Sequence, residues 1–200
     1  MITLISLILV SITTWAQGEK TISPAKLQCE NAKMALDMRF KGGSGEFERM
    51  FCQCVEYSTE ATYACAAGVV ILSFRVDCEG LMSDYGFRNP LGYGVDKQIK
   101  EFYSTIKDHW NPCYDITITE FEIPILFKTK GINTNAIGLF TIESEEPGFR
   151  CKSDDELLSE FEKLRLKKPK KALNILDQLI TRDPYNTSYI TTKKEIISND

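Results

Sequence analysis

Between Phe40 and Phe127 the chain presents one ordered series of signals, and that order limits the folds open to it. After Phe40-Lys41-Gly42-Gly43, the residues Phe47, Met50, Phe51 and Cys54 recur at i, i+3, i+4 and i+7, which predicts a short helix from about Gly45 to Tyr57 lying on a core. From Gly68 the period becomes two. Val70, Leu72, Phe74 and Val76 fall on one pleat face, and Ser73 and Arg75 fall on the other. Asp77-Cys78-Glu79-Gly80 has the composition of a tight reversal, and Leu81, Ser83, Tyr85 and Phe87 alternate beyond it, predicting an antiparallel hairpin. Asn89-Pro90-Leu91-Gly92 breaks the strand. Val95, Ile99, Phe102, Tyr103, Ile106 and Trp110 then return to helical spacing, with the helix running through Lys107 and halted by Pro112. Thr119, Phe121, Ile123, Ile125 and Phe127 alternate as a third strand. Pro124, having no amide hydrogen, places that strand at an edge or bulge.

The flanks are less regular. Residues 17–39 are a polar lead-in with a helix whose apolar face (Leu27, Met34, Ala35, Met38) is ragged, and residues 129–151 form a loop or a weak extra hairpin. Ser153 with Glu156 three residues on forms a capping-box pattern, and Leu157, Leu158, Phe161 and Leu164 continue it as a helical face. Lys168-Pro169 interrupts; Ala172, Leu173, Leu176, Leu179 and Ile180 make a second helix stopping at Asp183-Pro184. Tyr189, Ile190 and Ile197 start a third.

At 200 residues with a 43% hydrophobic fraction, the chain suits one compact domain plus an appendage. A net charge of −4 gives no general attraction to nucleic acid. The apolar run Ile2 to Ile12 followed by Thr14-Trp15-Ala16 has the form of a signal peptide cleaved after Ala16. It is shorter than the ~20 residues a bilayer span requires, and a retained inner-membrane anchor facing the periplasm is the alternative. Seven cysteines in an exported chain point to disulfides and leave at least one thiol unpaired or in an intermolecular bridge. A bridge involving Cys78 and Cys113 is expected, because each sits near the end of an adjacent element. Another is expected within Cys52, Cys54 and Cys65.

Phe40-Lys41-Gly42-Gly43, Tyr57, Gly68-Val69-Val70 leading to Phe74-Arg75-Val76, Gly80, the helix from Val95-Asp96, Trp110-Asn111-Pro112 and Pro124-Ile125-Leu126-Phe127 together resemble the TonB C-terminal domain family in its Bacteroidota form. The tail from Pro169 to Tyr189 resembles part of a tetratricopeptide repeat. Such repeats are stable in groups of about three, so this pair is expected to lean on the first domain or on a partner. The resemblance implies an α+β fold: a three-stranded antiparallel sheet packed by helices over residues 40–128, after a signal peptide (1–16) and lead-in (17–39). A linker (129–151) and a short helical hairpin tail (152–200) follow. It further implies a periplasmic, non-enzymatic module that pairs the edge of its sheet with an extended peptide of an outer-membrane receptor or other envelope protein. Thr117, Thr119, Glu120, Glu122 and Pro124 are then the partner-binding strand. No Pro-rich spacer separates the signal from the domain, so binding is expected ahead of energy transduction.

Other readings of the residues remain in view: a secreted structural adaptor of the envelope, or an unrecognised secreted enzyme or inhibitor. The single His109, beside Trp110, has no evident partner for nucleophilic chemistry. Cys52-Gln53-Cys54 lacks zinc-ligand spacing, and no phosphate loop or nucleophile elbow is present, so no catalytic, metal or cofactor residue is assigned and no small-molecule substrate is inferred. The basic run from Lys163 to Lys171 reads as a solvated turn between helices, with anionic lipid or glycan as the alternative contact.

Overall fold

The computed structural model describes residues 22–113, 119–145 and 147–198. The proposed signal peptide and its cleavage point lie outside them. Three helices come first: α1 (Pro24–Arg39), α2 (Gly43–Cys54) and the one-turn α3 (Thr59–Tyr63). They are followed by β1 (Gly68–Val76), β2 (Met82–Arg88), α4 (Val95–Ile106), β3 (Glu120–Thr129) and β4 (Thr141–Ser144). The chain ends in α5 (Asp154–Leu164), α6 (Pro169–Arg182) and α7 (Thr187–Ser198). The fold is α+β, but its sheet has four strands in the order β2-β1-β3-β4. The expected three-stranded antiparallel sheet is present as β2-β1-β3, and the correction lies in β4. That strand pairs with β3 in parallel, Leu126 opposite Thr141 through Thr129 opposite Ser144, where a loop or antiparallel hairpin was expected. Segment 130–140 makes this possible by running back along β3 before β4 begins, which a tight turn cannot do.

One face of the sheet carries the main core. Val70, Leu72, Phe74 and Val76 from β1 and Phe121, Ile123, Ile125 and Phe127 from β3 meet Leu36 of α1, Phe47 and Phe51 of α2, and Ile99, Phe102 and Ile106 of α4. Trp110 closes one end, its ring 5.1 Å from Phe74, 4.9 Å from Phe121 and 5.0 Å from Phe40 by centroid. The glycines after Lys41 have a definite job there. Gly42 and Gly43 stand at φ of 87° and 72°, and a side chain at Gly42 would meet Cβ of Glu46 at 2.7 Å, so the chain can turn from α1 into α2 only with glycine at this corner. Phe40 and Trp110 form an isolated antiparallel bridge, continued by Lys41 N to His109 O and Asn111 N to Arg39 O, both 2.8 Å. Arg39 is buried. Its guanidinium donates to the carbonyls of Asn111 and Asp77, tying the end of α1 to both sides of the Cys78–Cys113 disulfide.

The opposite sheet face is covered by the tail. Val69, Ile71, Leu126 and Ala136 pack together with Tyr185 against them, so β1 is buried on both faces along its first half. Gly68 is the close-approach point: a Cβ there would lie 2.5 Å from the Thr181 carbonyl oxygen. Asn89 donates through one Nδ2 to both Val69 O and Thr181 O, at 2.8 and 2.7 Å. The tail has its own small core of Leu157, Phe161, Ala172, Ile175, Leu176 and Leu179. The capping box forms as read, with Ser153 N donating to Glu156 and Glu156 N donating to Ser153 Oγ. A buried ion pair, Arg182 to Asp154 at 2.8 Å, joins α6 to the start of α5. The disulfide Cys65–Cys151 fastens the segment before β1 to the segment before α5.

Candidate functional site

Alternation along β3 decides which of its backbone groups face outward. Thr119 O accepts from Val76 N at 2.8 Å, so odd-numbered residues turn their backbone groups toward β1. Even-numbered residues turn theirs to the other side: Glu122 O accepts from Gln28 Nε2 at 2.9 Å, Pro124 O accepts from Leu139 N at 2.7 Å, and Leu126 N donates to Phe140 O at 3.1 Å. The edge is therefore closed by the chain itself from Pro124 onward. What stays open is short: the amides of Glu120 and Glu122 and the carbonyl of Glu120, none with a partner among the described residues. Pro124 marks the border, since it cannot donate to a neighbouring strand and the β4 ladder begins only at Leu126.

This open end faces α1 across a groove of about 330 Å³ lined by Gln28, Asn31, Ala32, Met34 and Ala35 on the helix and 119–122 on the strand. Of the five residues assigned to partner binding, Thr117 lies outside the described residues. Thr119 lines the groove with its carbonyl turned to β1, Glu120 and Glu122 present their backbone to the groove, and Pro124 is covered by Leu139. The carboxylates of Glu120 and Glu122 are already engaged on the sheet surface, Glu120 with Arg75 at 3.6 Å and Glu122 with Arg88 at 2.6 Å, which blunts their use in selecting a partner by charge.

The helical wall of the groove escaped the sequence reading. The expected apolar face of α1 named Leu27, Met34, Ala35 and Met38, yet only Ala35 is buried; the side of α1 facing the body is Ala25, Ala32, Ala35 and Leu36. Small alanines let α1 come close to β3 and give a weak hydrophobic signal. Their recurrence at Ala25, Ala32 and Ala35-Leu36 was the clue available.

The other chemistry-bearing residues are structural or dispersed. His109 stacks on Phe40 at 6.0 Å, and its Nδ1 meets no partner among the described residues. The free thiols are Cys29, Cys52 and Cys54, so Cys65 pairs with Cys151 and not within the expected Cys52, Cys54, Cys65 group. Phe47, Met50 and Phe51 are the buried face of α2, while Cys52 is exposed and Cys54 half-buried at its end. Burial pushes the Cys29 and Cys52 thiols up, which keeps them protonated. Among the described residues no group of three His, Cys, Asp or Glu side chains is placed to hold a metal, and no helix is long and apolar enough to cross a membrane.

Compared with protein-family models, curated proteins and solved structures, the chain finds no significant match in any of the three.

Proposed function

We propose that this chain is an exported, non-enzymatic protein-binding module of the kind the TonB C-terminal domain resemblance implies, receiving an extended segment of an outer-membrane transport partner at the open end of β3. The observation that carries the reading is the pair of outward amides at Glu120 and Glu122 with the Glu120 carbonyl, set at the lip of a groove. A peptide strand laid there gains main-chain hydrogen bonds from β3 and side-chain contacts from α1. Met34 is 55% exposed on that helix and supplies an adaptable apolar surface. The antiparallel β2-β1-β3 arrangement backed by α1, α2 and α4 agrees with the fold that the resemblance implies, and the two disulfides agree with an oxidising compartment such as the periplasm. Because β4 occupies the rest of the edge, the segment received is short unless the partner displaces Gln28 or Leu139.

Photo-crosslinking in the envelope tests this. A crosslinking side chain at Glu120 is expected to capture an outer-membrane transport protein, and the same group at Asp84, on the exposed far edge of β2, is expected to capture nothing. Capture from Asp84 alone, or from neither position, overturns the reading.

A further inference from the structure

We propose that the turn between α5 and α6 is a contact surface for anionic lipid, independent of the groove at β3. The turn gathers Lys163, Arg165, Lys167, Lys168, Lys170 and Lys171 with no acidic residue among them, in a chain whose net charge is −4. All six are exposed. Arg165 pairs with Glu162 at 3.2 Å, and the five lysines have no ion pair among the described residues. Of the acidic residues of α5, Asp154, Asp155 and Glu156 sit at its far end, while Glu160 and Glu162 nearer the turn are held by Lys152 and Arg165.

Charge alone would suit any polyanion. Leu166 separates the cases. It lies in the centre of the basic turn and is 89% exposed, more than any other large apolar side chain among the described residues. Leu164, two residues earlier, packs on the tail core, whereas Leu166 has no such cover. An apolar side chain held out amid lysines matches an interface where headgroup phosphates meet acyl chains.

Position agrees with this use. α6 touches the sheet through its last turn, at Thr181. Its fourteen residues place the basic turn about 20 Å away along the helix axis. Pro169 at the first turn of α6 restricts the backbone there, which holds the lysines in one cluster.

The experiment is flotation of the full chain with vesicles of phosphatidylcholine, and of phosphatidylcholine mixed equally with phosphatidylglycerol. Binding is expected only to the mixed vesicles, and ~0.5 M salt should remove it. The triple variant Lys167→Glu, Lys168→Glu, Lys170→Glu should bind at least about 100-fold more weakly, at about fivefold per lysine near an anionic surface. Leu166→Ser should weaken vesicle binding about fivefold while leaving retention on soluble heparin unchanged. All four positions are exposed, so an unchanged melting temperature shows that the variants are folded. Absence of binding, equal binding to neutral vesicles, indifference to the triple reversal, or a Leu166→Ser variant that binds vesicles like the parent each overturns the proposal; the last of these, with heparin retained, identifies a general polyanion surface instead.

Discussion

The amide of Leu139 donates to the carbonyl of Pro124 at 2.7 Å, and the Pro124 nitrogen has no hydrogen to return. One residue thus divides β3 into two parts. Beyond it the edge is capped by segment 138–140 and β4; before it the backbone opens on the α1 groove. An edge left open over its full length invites promiscuous pairing, and a chain that covers most of it keeps only a short, addressable stretch.

Replacing Glu122 by proline removes an outward amide that has no partner among the described residues, together with the Arg88 ion pair. Glu122→Gln removes only the charge. Partner affinity should fall more than about tenfold in the proline variant and little in the glutamine control, since a backbone hydrogen bond to an incoming strand is lost only in the first. Melting temperatures of the two should stay within a few degrees of each other. A folded proline variant with parental affinity would move the binding site elsewhere.

Phe74 and Trp110 share a core at 5.1 Å, so Phe74→Ala and Trp110→Ala should each cost roughly 3 to 5 kcal/mol. The Trp110 Nε1 finds no hydrogen-bond partner among the described residues, so the indole acts there as hydrophobic volume. Trp110→Phe should therefore cost much less than Trp110→Ala in denaturant unfolding. Equal losses would mean that the indole nitrogen is bonded after all.

How much of this was legible depends on the strength of each local signal. β1, α4 and β3 carry large side chains at clean periods, and these elements, with the bounds of β2, appear within a residue or two of expectation, as does the capping box at Ser153. The expected alternation of β2 is broken by an irregularity at Asp84, which turns Met82 and Phe87 to the core and leaves Leu81 and Tyr85 exposed. The face of α1 differs from expectation because its packing residues are mostly alanines and its larger apolar residues, Leu27, Met34 and Met38, are exposed. β4 gives no more than a loop or weak-hairpin signal because its four residues, Thr141-Ile142-Glu143-Ser144, hold one large apolar side chain, and its parallel pairing is a long-range property. Arg39 carried no local mark of burial at all; its partners are carbonyls far along the chain. The candidate edge was half visible, since Pro124 announces an edge but not what covers it.

Two disulfides and three thiols set a chemical prediction. Alkylation of the unreduced, unfolded chain should label Cys29, Cys52 and Cys54 only, and non-reducing peptide maps should show Cys65–Cys151 and Cys78–Cys113. The bridged residues are 86 and 35 apart in sequence, for which the loop-closure model gives about 4 to 5 kcal/mol each. Reduction should lower the melting temperature markedly. A map linking Cys52 or Cys54 to Cys65 would contradict the structure.

Asp37 caps the start of α2 from α1, accepting from Lys33 Nζ, Ser44 Oγ and Ser44 N at 2.6, 2.6 and 2.9 Å. These bonds, the Lys33 one foremost, hold its carboxyl well below the ordinary 3.8, at about 2. The folded state thus binds this proton less readily than the unfolded one. Its contribution is full above the ordinary value and is lost as pH falls toward 2. Because Asp37 is largely exposed, the size should be below about 1 kcal/mol. Comparing Asp37→Asn with the parent from neutral pH to pH 2 should show a stability gap that closes in that window. An NMR titration midpoint near 3.8 would remove the cap from the account.

Gly68 and Thr181 give the sharpest test of how the tail is docked. A methyl at Gly68 would stand 2.5 Å from a backbone oxygen, and the last turn of α6 cannot yield without disturbing the Asn89 bond to that same oxygen. Gly68→Ala should cost about 1 to 3 kcal/mol as an overpacking change, even though alanine otherwise favours the ordered state. Gly86→Ala is the control on the neighbouring strand, where the nearest atom to a new methyl is Ser73 Oγ at an ordinary 3.7 Å. That variant should remain within about 0.5 kcal/mol of the parent. Hydrogen exchange should locate the damage of Gly68→Ala in the last turn of α6 and around Tyr185, the ring that covers Val69 and Ile71. The amides of α4, on the other sheet face, should keep their protection. If Gly68→Ala matches Gly86→Ala in both stability and exchange, the tail is not seated on β1 as described.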